Sequence, residues 1–211
     1  MISFFILTFS ALFSLLNPIG AVPAFLSLTA NYSDDLKITL AKKTSIYIFF
    51  IMLFFFICGQ LILNFYGITI DSLRIAGGII ICKSGLGLLK SKNKKEKNLT
   101  QTIKLEALQK NDISFTPLAM PLLAGPGTIS YLIATSLQEM HIVQYITIFS
   151  CILSISILSY LILKLSPKIL KYIGHSGISA MANVMGFFVL ALGIQSIFTG
   201  LQSLLKSIVL L

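Results

Sequence analysis

Charge is scarce in this chain. Only 11% of its 211 residues are Asp, Glu, Lys or Arg, against about 25% in ordinary soluble domains. A water-soluble globule cannot be surfaced with so little. With 56% hydrophobic residues and a mean hydropathy of +0.93, the composition specifies an integral membrane protein and excludes disordered, fibrous and disulfide-scaffold classes. Cysteine is also scarce. Cys58, Cys82 and Cys151 lie singly inside apolar runs without the C-x-x-C spacing of a metal site, and read as small buried hydrophobes. No Asp or Glu falls at the middle of an apolar run, so the usual carrier of an intramembrane proton relay is missing. His141 and His175 have no companion Cys or acidic cluster, and no Walker motif, Rossmann fingerprint, Ser/His or paired-carboxylate arrangement is present. An enzyme is therefore not expected, nor a bound cofactor or metal.

The net charge of +9 invites a nucleic-acid reading, but the placement of the charges argues against it. Six stretches approach the roughly 20 apolar residues a spanning helix needs: 3–29, 44–64, 72–89, 114–136, 142–163 and 183–204. The N-terminal run MISFFILTFSALFSLL has no basic n-region and reads as the first span, not as a cleaved signal. Lys37, Lys42 and Lys43 fall between spans 1 and 2. Lys90, Lys92, Lys94, Lys95, Lys97, Lys104 and Lys110 fall between spans 3 and 4, and Lys164, Lys168 and Lys171 between spans 5 and 6. Thirteen of the sixteen basic residues thus share one side. Because cytoplasmic loops collect Lys and Arg, both termini are expected outside and the basic loops inside. The loop 91–111 reads as a tether whose lysines set topology, or as a patch for anionic lipid or a partner.

That loop divides the chain into a first three-helix repeat (1–90) and a second (112–211). Each half opens with a span interrupted by proline and glycine: Asn17-Pro18-Ile19-Gly20-Ala21-Val22-Pro23 in span 1, and Pro117-Leu118-Ala119-Met120-Pro121 followed by Ala124-Gly125-Pro126-Gly127 in span 4. Each continues with an uninterrupted span and closes with a small-residue one. Three crossings per half make the repeat inverted. The expected fold is therefore an all-α integral membrane protein of six transmembrane helices, an inverted 3+3 repeat with helices 1 and 4 broken. Proline removes a backbone hydrogen bond, and irregular backbone survives at membrane depth only in protein or along a cavity. Matching breaks in two inverted halves point to a transporter's central site, where helix N-termini suit a carboxylate and free carbonyls an ammonium or a coupling cation.

Few other polar groups accompany the breaks. Thr128 and Ser130 are candidate hydroxyl donors. Asp71 and Arg74 share a helix face at the outer end of span 3, as an interfacial anchor or an outer gate contact. Lys83 lies about 10 Å from the inner end of its span, within reach of the cytoplasm by snorkelling. Asn183, Gln195, Gln60 and Gln144 could bond across helices or line a path.

The runs from Asn17 to Phe25, Asp71 to Gly78, Pro117 to Gly127 and Asn183 to Gly186 together resemble the MarC family, in order and over nearly the whole chain. The resemblance implies a bacterial or archaeal inner-membrane protein of six helices, some of whose relatives look like transporters of glycine, alanine and similar neutral amino acids. It implies that the unwound parts of spans 1 and 4 line the substrate site, which places Asn17, Pro18, Gly20, Pro23, Pro121, Gly125, Pro126, Gly127 and Thr128 there. It also implies a gating or helix-pairing role for Asp71, Arg74 and Asn183. Asn183 stands where many relatives carry an arginine, and Lys83 is atypical. The expectation is a multi-pass transporter of small neutral solutes, with membrane lipids and an amino acid as partners, no nucleic acid, and proton or sodium coupling left open. The alternative is a non-transporting membrane scaffold or regulatory protein.

Overall fold

The computed structural model describes residues 2–89, 113–138 and 141–209, without the side chains of Pro117, Pro121, His175 and residues 207–209. The basic linker expected at 91–111 lies outside the described residues, as does Lys90. Every regular element among the described residues is a helix: α1 (Ile2–Leu16), α2 (Val22–Leu28), α3 (Asp34–Tyr66), α4 (Ile70–Leu89), α5 (Ser114–Leu123), α6 (Pro126–Ser136), α7 (Ile142–Lys164) and α8 (Ser166–Val209). Four segments are long and apolar enough to cross a membrane: α3, α4, α7 and residues 176–206 of α8. They match the second, third, fifth and sixth expected spans. The other two, 3–29 and 114–136, are each two shorter helices with an irregular junction, α1 with α2 and α5 with α6. The physical reason is local. Pro18 and Pro126 cannot donate to the carbonyls of Ser14 and Leu122, and α5 is itself irregular, with extended backbone at Thr116 and Met120. Both of those residues precede a proline, which disfavours the helical conformation.

Helix ends follow side-chain chemistry. Ser33 caps α3 through its hydroxyl, which accepts from Leu36 N–H at 3.4 Å. Asp34 and Asp35 sit in the positive first turn, and Gly67 closes the helix in the left-handed region at φ 63°. At 33 residues α3 is about 50 Å long against a hydrocarbon core of roughly 30 Å. Its polar first turns therefore project beyond the apolar stretch that begins at Thr44. Gln144 does not bond across helices. Its Oε1 accepts from the His141 backbone N–H at 2.8 Å and caps the start of α7.

The core gathers Leu12, Leu16, Phe25, Ile48, Met52, Leu132, Ile148 and Ile152 from α1, α2, α3, α6 and α7. Outward-facing Phe50, Phe54, Phe65, Ile146, Phe187 and Phe198 are exposed, the surface a lipid solvent demands. Helices α4 and α8 pack antiparallel along a glycine seam. A β-carbon on Gly78 would lie 2.8 Å from the Gly193 carbonyl oxygen, on Gly85 2.8 Å from the Gly186 oxygen, and on Gly200 2.9 Å from the Asp71 oxygen. The adjacent Gly77 faces the other way, and a β-carbon there would press on Ser130 of α6. The Gly77-Gly78 pair thus lets α4 sit close between α6 and α8. Ser130 is a packing residue at that contact.

Candidate functional site

Asn17 ends α1 with φ at 44°, the one non-glycine residue with positive φ among those described. Asparagine tolerates this region because its short amide can bond locally, and here Oδ1 accepts from the Gly20 N–H at 3.2 Å. The same turn favours Gly20, since a β-carbon there would displace the Asn17 amide from this hydrogen bond. In the second half, Gly125 precedes α6 in extended conformation, with Pro126 at the first helical position and no side-chain cap. The N–H groups of Gly127 and Thr128 are left as first-turn donors without an intrahelical acceptor.

These two junctions meet. A cavity of about 210 Å³ is lined by Asn17 and Gly20 from the first, and by Gly125, Pro126, Gly127 and Thr128 from the second. Leu15, Leu16 and Ala21, then Leu122 and Leu123, complete the two junctions' share of the wall. Its volume would hold about seven water molecules at roughly 30 Å³ each. That is below the roughly 300–1,000 Å³ of sites for drug-sized ligands. No lining side chain is ionisable. Any electrostatic character of the wall comes from backbone: the carbonyl end of α1 and the N–H end of α6 both border this space, and they carry opposite partial charges. The Thr128 hydroxyl adds a specific polar group. It is 1% exposed, and its Oγ1 is shielded from solvent and has no hydrogen-bond partner, which is unfavourable for a buried hydroxyl.

Of the other expected site residues, Pro18 is buried and Pro23 half-buried in α2, and neither lines the cavity. The Pro121 side chain lies outside the described residues. Helices α4 and α8 contribute residues that sequence reasoning missed: Ile81, Ser84 and Leu88 from α4 and Val189 from α8. Ser84 is exposed at the rim and stands two turns after Gly77 on the same helix face, a periodicity that could have flagged it. Lys83 is exposed and is not part of the wall.

Asp71 and Arg74 pair at 3.5 Å, with side chains 15% and 18% exposed. The pair is also tied to α8: Ser203 Oγ donates to Asp71 Oδ2 at 3.0 Å and Ser196 Oγ donates to the Arg74 carbonyl at 2.9 Å. Asn183 does not join them. It lies thirteen residues before Ser196 on α8, about 20 Å along the helix. Among the described residues no group of three or more His, Cys, Asp or Glu is placed to hold a metal ion.

Comparison with known proteins bears on this arrangement. The MarC family, described as integral membrane proteins, matches over residues 2–205. A UPF0056 membrane protein of Methanocaldococcus jannaschii is 36% identical over 205 residues, covering 97% of this chain and 98% of its own. UPF0056 membrane protein YvbG of Bacillus subtilis is 34% identical over 204 residues, 97% of each chain. UPF0056 inner membrane protein MarC of Citrobacter koseri is 33% identical over 205 residues, 93% of each. These names state a membrane location and no activity. No solved structure matches the chain.

Proposed function

The chain belongs to the MarC family of integral membrane proteins, and from that premise we propose that it transports small neutral solutes such as glycine or alanine by alternating access. The observation that carries the reading is the shared cavity. The C-terminal turn of α1 and the first turn of α6, which has no side-chain cap, line one space of about 210 Å³ with no ionisable wall. A zwitterion fits that pattern, its ammonium toward α1 and its carboxylate toward Gly127 and Thr128. The small volume selects against long side chains. The absence of wall charges leaves nothing to hold a net anion or cation as strongly.

The inverted repeat is supported by one register. Pro18 and Pro126, the helix starts Asp34 and Ile142, Gly78 and Gly186, and Gly85 and Gly193 are each 108 residues apart. Exchanging the halves at that offset turns the Gly78–Gly193 approach into the Gly85–Gly186 approach, and both are made. We read α1 with α2, and α5 with α6, as the two broken spans, giving six crossings with the basic loops cytoplasmic and both termini outside. Exposed Ser84 lies five residues before the end of α4 that leads into the lysine-rich sequence 90–97, so we read the cavity's rim as facing the cytoplasm.

The test is uptake of radiolabelled glycine and alanine by liposomes holding the purified protein, with imposed pH or sodium gradients. Wild type should accumulate label. Thr128→Val, which keeps the shape and removes the unpartnered hydroxyl, should cut uptake severalfold, and an Asn17→Leu, Gly125→Leu double variant should abolish it. Folded wild-type protein that moves neither solute under any gradient refutes the proposal for these substrates.

A further inference from the structure

A second concavity shares no residue with the first. It is a groove of about 390 Å³ on the outer face of α3 and α7, lined by Phe49, Phe50, Leu153 and Ile157, with Lys42, Ser45 and Tyr160 among its other walls. Its chemistry is polarised along its length. Phe56 meets Tyr145 at a tilt and Phe49 meets Phe149 edge to face, with ring centroids 5.9 Å apart in each pair, so the two helices run antiparallel. Lys42 of α3 therefore stands at the same end as Tyr160 of α7, and the Lys164 ammonium lies 5.6 Å from the Tyr160 ring centroid. At that end Ser45 is 6% exposed, and its Oγ has no hydrogen-bond partner. Toward the other end the walls are Phe49, Phe50 and Leu153, and Phe50 is 59% exposed.

We infer that this groove is a binding site for one anionic phospholipid, its acyl chain along Phe49, Phe50 and Leu153 and its phosphate between Lys42 and the Ser45 hydroxyl. Charge selects an anionic occupant, and two further features suit a phospholipid. Lys42 lines the polar end, and the nearest acidic residue along α3, Asp35, is seven residues away. The buried hydroxyl can donate to a phosphate oxygen, which satisfies an otherwise unanswered polar atom. The groove is open along its length to the lipid phase, so a chain enters sideways without any opening of the protein. Basic pockets between membrane helices recognise headgroups in this way. The inference needs only that α3 and α7 span the membrane and does not depend on transport.

The chain contains no tryptophan, so Phe50→Trp supplies a single fluorescent reporter inside the groove, with Ile157→Trp as a second should the first misfold. The protein is reconstituted in phosphatidylcholine vesicles in which a fixed fraction of either phosphatidylglycerol or phosphatidylcholine is brominated. Quenching should report about fivefold enrichment of the anionic lipid, the effect expected of one lysine near a surface. Lys42→Gln combined with Ser45→Ala should return it to the bulk composition. Phe187→Trp, exposed on α8, should show no preference. Equal quenching by both lipids, a preference that survives Lys42→Gln with Ser45→Ala, or the same preference at Phe187→Trp would each overturn the inference.

Discussion

Two glycines of α4, two residues apart, should respond to alanine in opposite directions. A β-carbon on Gly85 would lie 2.7 Å from the Leu190 backbone nitrogen and 2.8 Å from the Gly186 oxygen, whereas one on Gly87 would meet nothing within 4 Å. Ordinary van der Waals contact starts at 3.4 Å, so Gly85→Ala must push α4 and α8 apart by more than half an ångström. The partners are backbone atoms and cannot swing aside. A gap of 0.5–1 Å forfeits a quarter to a half of each dispersion contact, and it would extend along the seam to Gly78 and Gly193. Overpacking of this kind costs about 1–3 kcal/mol. At about 2–4 °C per kcal/mol for a chain of this size, the midpoint should fall by several degrees. Gly87→Ala instead removes backbone freedom from the unfolded chain at an open position, and should be neutral or stabilising by up to about 1 kcal/mol. The assay is thermal unfolding of the purified protein in a mild detergent, read by loss of the monodisperse peak in size-exclusion chromatography. Shifts of the same sign and size for the two variants would refute the close-packed seam.

The Asp71 link between α4 and α8 should appear in a double-mutant cycle. Asp71→Asn and Ser203→Ala should each lower the midpoint, and their combination should fall short of the sum by about 0.6–1.7 kcal/mol, the range for polar pairs in membrane bundles. Strict additivity would show that the 3.0 Å contact contributes nothing. The left-handed backbone at Asn17 separates two substitutions in the same thermal assay. Asn17→Gly should stay near wild type, while Asn17→Val should lose about 1–2 kcal/mol from the β-carbon clash. Equal midpoints would mean that the turn does not hold its φ of 44°.

Much of the cavity was legible in the sequence because its ingredients are local. Pro18 and Pro126 lack an N–H wherever they stand, and Asn17, Gly20 and Gly125 sit beside them for backbone reasons that a single segment reveals. Ser84, Ile81 and Val189 were not legible as wall residues, because their membership depends on which face α4 and α8 turn toward the junctions. Sequence reasoning treated Gln144 as a cross-helix group and Ser130 as a hydroxyl donor. The first is bound by its own helix start and the second by the close approach of Gly77, contacts that polarity alone does not specify. Asn183 was grouped with Arg74 by analogy of position between the halves. Antiparallel packing of α4 on α8 puts that counterpart about 20 Å from the Asp71–Arg74 pair, a separation that position in the sequence does not reveal.

By itself the sequence determined the solvent and the punctuation: a chain for lipid, long apolar helices, and two interruptions by proline and glycine. Those are sums of residue properties or bonds within one turn, so no distant contact can alter them. Only the tertiary structure decided that the interruptions, 108 residues apart, close on one small cavity, that glycines of α4 face glycines of α8, and that a lysine-ended groove runs along α3 and α7. These are relations between surfaces. In a protein whose faces are nearly all apolar, hydrophobic pattern does not say which face meets which. That choice falls to the fit of small residues and the few polar groups that must find a partner.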